Sequence, residues 1–489
     1  MGGPPLSPYL VGLLGILVAL ALLIFLAFRG FTLLLAAPAA AIVAALFSRE
    51  PILADWTITF MRAAANFIGN FFPLFLLGGV FGKLMADSGA ALSIAQGIVE
   101  WLGKKRAVIA VVIACAVLTY GGVSLFVVSF AVMPVAAALF EQANIPHRLI
   151  PAAIALGAFT FTMTALPGTP AIQNAIPMAF FHTTLFAAPV LGVIASAIML
   201  GFGLWWLRLI ATRASEAGEG YSPEAQKAVD DPLVRARGAN CENFDIAELE
   251  RGHPCKDLPS FAASVAPIAI VLVVNLLTSL FVLPRIDTGY LAEPRFGAKL
   301  SAVSGVWSVV VALALASLVL VLIHRTRLTE LQKSLDAGAS ASVLPVLNTA
   351  SLVGFGAVVA ALPAFAVVRD GFLSVPGGPL VSIAIAANVM GGITGSASGG
   401  LTIALNALGE TYAQLASAAG VHPELMHRVA AISSGVLAML PHNGAVVTLL
   451  AISGATQRSS YREIMMVGLV GPLLGLTAII ALGKLFGSF

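Results

Sequence analysis

From Tyr9 to Phe28 the chain carries no charged side chain, and Ser260 to Leu283 and Ser301 to Ile323 repeat that feature. Such runs match the ~20 apolar residues a spanning helix needs. Inside hydrocarbon no water satisfies a backbone N–H or C=O. Only helices, or closed barrels, can therefore cross. These runs are continuous rather than alternating, so helices are expected. Composition agrees. The chain is 59% hydrophobic and 10% charged, with a mean hydropathy of +0.98, whereas soluble domains carry about 25% charged residues. The net charge of +3 comes without a basic stripe interleaved with aromatics, so no nucleic-acid partner is expected.

Residues 1–8 lack Lys and Arg, and the apolar run behind them is too long for a signal-peptide h-region. This segment reads as a first spanning helix. Cys115 lies in an apolar run and reads as packing. Cys241 and Cys255 share a polar loop with His253, too few ligands for a metal site. No metal or cofactor is expected.

Two apolar segments are broken in the same way, one in each half. Tyr120-Gly121-Gly122-Val123-Ser124 interrupts the first, and Pro167-Gly168-Thr169-Pro170 follows it. Thr394-Gly395-Ser396-Ala397-Ser398-Gly399-Gly400 interrupts the second, and Pro441-His442-Asn443-Gly444 follows it. At an offset of 274 positions Gly121 matches Gly395, Ser124 matches Ser398, Leu166 matches Leu440, Pro167 matches Pro441 and Ala171 matches Ala445. Gly/Pro interruptions at corresponding places in two halves point to a transporter's binding site. Small residues also let spanning helices pack closely, which is the bland reading of any single break.

The expected fold is an all-α polytopic membrane protein. Residues 1–52 form a leading transmembrane pair. Residues 53–210 form a first repeat, with a half-polar interfacial or tilted helix at 53–69, a span at 71–85, a re-entrant hairpin at 107–140 and a broken helix at 147–181. Residues 211–258 form a polar loop. Residues 259–327 form a linking pair. Residues 328–489 form the second repeat: a polar helix at 328–342, a span at 344–368, a hairpin at 378–418, a broken helix at 423–456 and a last span.

Lys and Arg set the orientation. Arg29, Lys83, Lys104, Lys105, Arg106, Arg148, Arg208, Arg213, Arg325, Arg327, Arg458 and Arg462 fit one face, the cytoplasm. Arg49, Arg285, Arg295, Lys299, Arg369 and Arg428 fall outside. The 211–258 loop is then cytoplasmic, both termini lie outside, and the two repeats are inverted.

Opening a helix in the membrane frees backbone groups that need partners. Half-helix N-termini favour an anion; freed carbonyls favour a cation. The expected substrate-binding residues are Gly121, Gly122, Ser124, Thr169, Asn174, Gly395, Ser396, Ser398, His442 and Asn443. They offer hydroxyls and amides but no carboxylate, which suits a hydroxyl-bearing acid. An intramembrane histidine is functional by default, so His442 is also the candidate proton carrier.

Leu118 through Val127, Ala165 through Pro170 and Leu440 through Ala445 resemble the gluconate:proton symporter (gluconate permease) family of the ion-transporter superfamily. The resemblance spans about Trp56 to Leu485. It implies a proton-coupled carrier for small organic acids in a bacterial inner membrane. It implies a homodimer with a scaffold and a moving transport domain, an elevator. The substrates it implies are 3-hydroxybutyrate or a gluconate-like sugar acid. A sodium-coupled carrier for di- or tricarboxylates is the alternative, although such acids favour Arg or Lys and the breaks carry neither. A remote alternative is an intramembrane serine protease using Ser398 and His442, which needs the two within hydrogen-bond reach. An ion channel has no ring of like charges to support it.

Overall fold

The computed structural model describes residues 8–29, 31–221, 258–441 and 443–488. Among these residues every regular element is a helix. Seven helices are long and apolar enough to cross a membrane, and one bent pair adds an eighth. This is a polytopic membrane protein. Cys241, Cys255, His253 and His442 lie outside the described residues.

Helices α1 (Pro8–Phe28) and α2 (Leu33–Ser48) form the leading pair. Then α3 runs through Ile52–Asp87, followed by α4 (Ala90–Leu102). The first hairpin is α5 (Ala107–Tyr120) and α6 (Leu125–Gln142). The first broken element is α7 (Ile150–Ala158), α8 (Phe161–Thr164) and α9 (Ile172–Phe181), closed by the long α10 (Pro189–Glu216). A linking pair follows, α11 (Phe261–Val282) and α12 (Leu300–His324). The same order then recurs. Helix α13 (Leu331–Ala361) and the short α14 (Phe365–Leu373) precede the second hairpin, α15 (Pro379–Thr394) and α16 (Ala397–Ala418). The second broken element is α17 (Pro423–Val436) and α18 (Gly444–Ile452), bent by 54°, and α19 (Gln457–Phe486) ends the chain.

Two sequence expectations need correction, in corresponding places. Residues 53–69 and 71–85 are one helix, not a separate interfacial or tilted helix followed by a span. Residues 328–342 and 344–368 are likewise joined, within α13, and 365–373 is separate. Polarity changes along each helix, but the helical course continues through the change. Pro73 and Pro345 sit inside these helices; spanning helices tolerate proline because neighbours re-satisfy the freed groups. At 36 residues, α3 reaches about 54 Å, well beyond the ~30 Å hydrocarbon core.

Helices α3 and α13 pack backbone to backbone. A Cβ on Gly79 would stand 2.6 Å from the Gly338 carbonyl oxygen. Asp87 on α3 accepts from Ser334 Oγ on α13 at 2.7 Å and pairs with Lys83 at 3.1 Å. Large apolar side chains on α1, α11 and α12, among them Leu17, Phe281 and Leu322, are exposed, as lipid-facing surfaces require.

Each hairpin turn follows from its glycines. After α5, the Gly122 N–H returns to the Thr119 carbonyl and the Val123 N–H to the Leu118 carbonyl. This is a Schellman closure, and it places Gly122 at φ +91, where glycine alone is unstrained. After α15, Gly395 takes φ +66, and Ser396 caps α16 by accepting from the Gly399 N–H at 2.8 Å. The arms of the second hairpin touch directly. A Cβ on Gly400 would stand 2.2 Å from the Gly391 nitrogen.

Candidate functional site

The four interruptions converge. Ala397 of the second tip and Ala438 of the second broken element pack with Met163 of the first, and Leu125 and Ala171 close on the same cluster. Beside it lies a cavity of about 140 Å³. The first tip (Gly122, Ser124) and the first break (Pro170, Ala171, Gln173) form one wall; Gly78 and Gly79 of α3 with Ser342 of α13 form the other.

Two helices begin on this cavity, α6 at Leu125 and α9 at Ile172, and both first residues line it. Apart from Asn174, whose N–H returns to the Ala171 carbonyl at 3.0 Å, the first N–H groups of these helices have no intrahelical acceptor. Two positive dipole ends therefore meet one small space, an arrangement that attracts an anion. The Gln173 side chain lines the same space and makes no hydrogen bond among the described residues.

The first break is held open by side chains from elsewhere in the molecule. Tyr120 Oη donates to the Pro167 carbonyl at 2.7 Å. Asn275 Nδ2 donates from α11 to the Gly168 carbonyl at 3.2 Å. Asn174 Nδ2 donates to the carbonyls of Thr169 and Leu185 at 3.1 and 3.0 Å.

Arg428, which the charge pattern assigned to the outer face, is fully buried. Its Nη1 donates to the Thr164 carbonyl at 3.2 Å and to Asn174 Oδ1 at 3.0 Å. Its Nη2 donates to the Leu185 and Ala187 carbonyls at 3.2 and 2.6 Å, and its Nε to Ala187 at 3.1 Å. All these acceptors are neutral. The burial has a simple cause. Arg428 lies on α17, whose residues from Leu425 to Val436 are all buried, and the irregular backbone at 164–171 and 185–187 offers the carbonyls that a guanidinium fork needs.

The partners also fix the neighbouring amide and imidazole. The Asn174 NH₂ faces two carbonyls and its oxygen faces Arg428. His427 Nε2, 3.0 Å from that oxygen, is therefore a donor. His427 Nδ1 is then free to accept from Thr183 Oγ1 at 2.6 Å.

The second break is satisfied locally. Asn443 Nδ2 donates to the Gly395 carbonyl, and its Oδ1 caps α18 by accepting from the Ala445 N–H at 2.7 Å. Gln457 Nε2 donates to the Pro441 carbonyl at 2.9 Å and Tyr461 Oη to the Met439 carbonyl at 3.3 Å.

Of the expected binding residues, the structure places Gly122 and Ser124 on the cavity. Gly121 lies beneath the tip, where a Cβ would meet Ile268 at 2.7 Å. Thr169 is buried and Asn174 is fully engaged with Arg428, His427 and the break carbonyls. Gly395, Ser396, Ser398 and Asn443 belong to the second tip and its break; Ser398 is buried and Ser396 serves as a helix cap. Arg428, Asn275 and Thr119 were missed. A lone amide amid an apolar span, as at Asn275, was the available signal for one of them.

Comparison with known proteins decides the family. The chain is 42% identical over 482 residues to the uncharacterized transporter YxjC of Bacillus subtilis, covering 96% of this chain and 98% of that one. The chain belongs to this transporter family. A second uncharacterized transporter, from Haemophilus influenzae, is 28% identical over 221 residues and covers 45% of each chain. No family profile matches. Two solved structures share the fold. The YdaH transporter of Alcanivorax borkumensis superposes with a TM-score of 0.53 at 17% identity, covering 90% of this chain and 91% of its own. MtrF of Neisseria gonorrhoeae, described within a class of antimetabolite efflux pumps, gives 0.51 at 16%, covering 89% and 85%. The protein is a membrane transporter and not an enzyme.

Proposed function

We propose that the protein is a secondary active carrier that takes up a small organic monocarboxylate with a proton. The observation that carries this reading is the pair of helix N-termini, at Leu125 and Ile172, opening on one cavity. They supply donors for one carboxylate, with Ser124, Gln173 and the Gly122 backbone beside them. The remaining described residues of the expected set, Gly121, Thr169, Asn174, Gly395, Ser396, Ser398 and Asn443, then hold the two tips and breaks in shape or complete the site as the carrier moves. Engineered cavities of 150 Å³ hold benzene. A space of about 140 Å³ thus favours a short acid such as 3-hydroxybutyrate over a sugar acid such as gluconate.

Coupling follows from the carbonyls. Those at Thr164, Pro167, Gly168, Thr169, Met439 and Pro441 already accept side-chain hydrogen bonds. That supports a proton over a sodium ion, with His442 as its carrier. The recurring element order supports two inverted repeats, in which the hairpins and broken helices move as an elevator against a scaffold containing α3 and α13. We place the carrier in a bacterial inner membrane, as a homodimer, with the 211–258 loop in the cytoplasm and both termini outside.

Counterflow in proteoliposomes tests this reading. Short hydroxy acids should exchange without sodium, and di- and tricarboxylates should not. A sodium requirement would favour the citrate-like alternative.

A further inference from the structure

Buried hydroxyls on this protein's helices ordinarily bond the carbonyl one turn back. Ser129 donates to Leu125 at 2.7 Å, Thr160 to Leu156 at 2.7 Å, Thr349 to Pro345 at 2.9 Å, Thr402 to Ser398 at 2.7 Å and Ser433 to Val429 at 2.6 Å. Ser279 and Ser317 do not follow them, and neither does Thr119, which unlike those two lines the cavity. Thr119 is 6% exposed, one residue before Tyr120 on α5, and its Oγ1 is buried with no hydrogen-bond partner.

An orphaned buried hydroxyl is destabilising, so it calls for an explanation. A helical threonine can satisfy itself with its own backbone, and this one leaves that bond unmade. The hydroxyl both donates and accepts. It thus complements a group that does the same, an alcohol, better than a carboxylate, which only accepts. The carboxylate already has the helix N-termini at Leu125 and Ile172. Thr119 lies on the other arm of the hairpin, before the tip rather than after it.

We infer that Thr119 Oγ1 is the specificity-determining contact for a substrate hydroxyl, so that the site selects hydroxy acids over their deoxy counterparts. A site built to bond a hydroxyl rejects the analogue that lacks it, because its own polar group then stays unpaired. This inference rests on the reading of the cavity as an acid-binding site.

The test is counterflow by the full chain in proteoliposomes, with 3-hydroxybutyrate, 2-hydroxybutyrate and butyrate as probes. The wild type should favour at least one hydroxy acid over butyrate by about tenfold, the scale of one well-made hydrogen bond. Thr119→Val should abolish that preference by weakening the hydroxy acid alone, and Thr119→Ser should restore it. The valine variant should melt no lower than wild type, because it removes an unpaired hydroxyl rather than a bonded one. Preference retained in Thr119→Val, equal weakening of both acids, or a lowered melting temperature would each overturn the assignment. Failure of the wild type to exchange any of the three acids would instead remove the acid-site reading, and this assignment with it.

Discussion

Tyr120 and Pro167 stand 47 residues apart, yet the tyrosine hydroxyl donates to the proline carbonyl at 2.7 Å. This bond ties the stem of the first hairpin to the non-helical backbone of the first break. The second half makes a corresponding tie with a different residue, Asn443 Nδ2 to the Gly395 carbonyl. Each tip is thus fastened to its own break.

Tyr120→Phe removes one donor and strands a carbonyl. We expect a loss of about 1 kcal/mol in stability and a several-fold fall in uptake at unchanged expression. Melting followed by size-exclusion chromatography in detergent, together with uptake, checks both. Unaltered uptake would show that the tie does not shape the site.

Arg428→Gln should be far more damaging. It removes a fork that holds Thr164, Leu185, Ala187 and Asn174 at once. Each acceptor left alone in the interior costs about 1–3 kcal/mol. The expected result is little monodisperse protein at 37 °C. A stable, active Arg428→Gln protein would refute a structural role for the buried guanidinium.

Gly400→Ala should spread the second hairpin, because its Cβ would lie 2.2 Å from the backbone nitrogen of Gly391. Gly420→Ala is a useful contrast. Gly420 has open space but φ +67, so only the conformational cost of about 1–2 kcal/mol applies. Transport should be lost in the first variant and largely kept in the second.

Acid should loosen one surface tie. The Arg148 side chain hydrogen-bonds Glu219 at 2.6 and 2.9 Å and holds its carboxyl below the usual carboxylate range. A depressed folded-state pKa contributes stability above the unfolded value, and that contribution disappears as pH falls through the folded one. Wild type and Glu219→Gln should therefore differ in melting temperature at pH 7 and converge only as pH falls below the usual carboxylate range. The difference should be small, since Glu219 is 41% exposed. A gap that persists at low pH would assign it to packing instead.

The sequence made the breaks legible because glycine and proline mark them directly. Gly122 and Gly395 sit at the turns, and Pro167 and Pro441 at the unwound stretches. It misplaced the ends of α3 and α13, because a helix persists through a change in polarity, and here even past Pro73 and Pro345. It misplaced Arg428 for another reason. Counting Lys and Arg by side treats every charge as solvated, whereas this one is bound by carbonyls that only the folded break presents. Thr119 was unreadable in advance, since whether a helical threonine bonds its own backbone depends on what lies opposite.

Cysteine labelling at Ser124 tests most directly whether an anion occupies the cavity at the first tip and break. Ser124→Cys would be introduced after replacing Cys115, Cys241 and Cys255, with Ser417→Cys, exposed at the end of α16, as the control. A maleimide would be added with and without saturating 3-hydroxybutyrate, and with butane-1,4-dicarboxylate in parallel. Slower labelling at position 124 in the monocarboxylate alone, with position 417 unaffected, is the expected result. Equal labelling in its presence and absence, in a protein that still exchanges the acid, would contradict binding at this site.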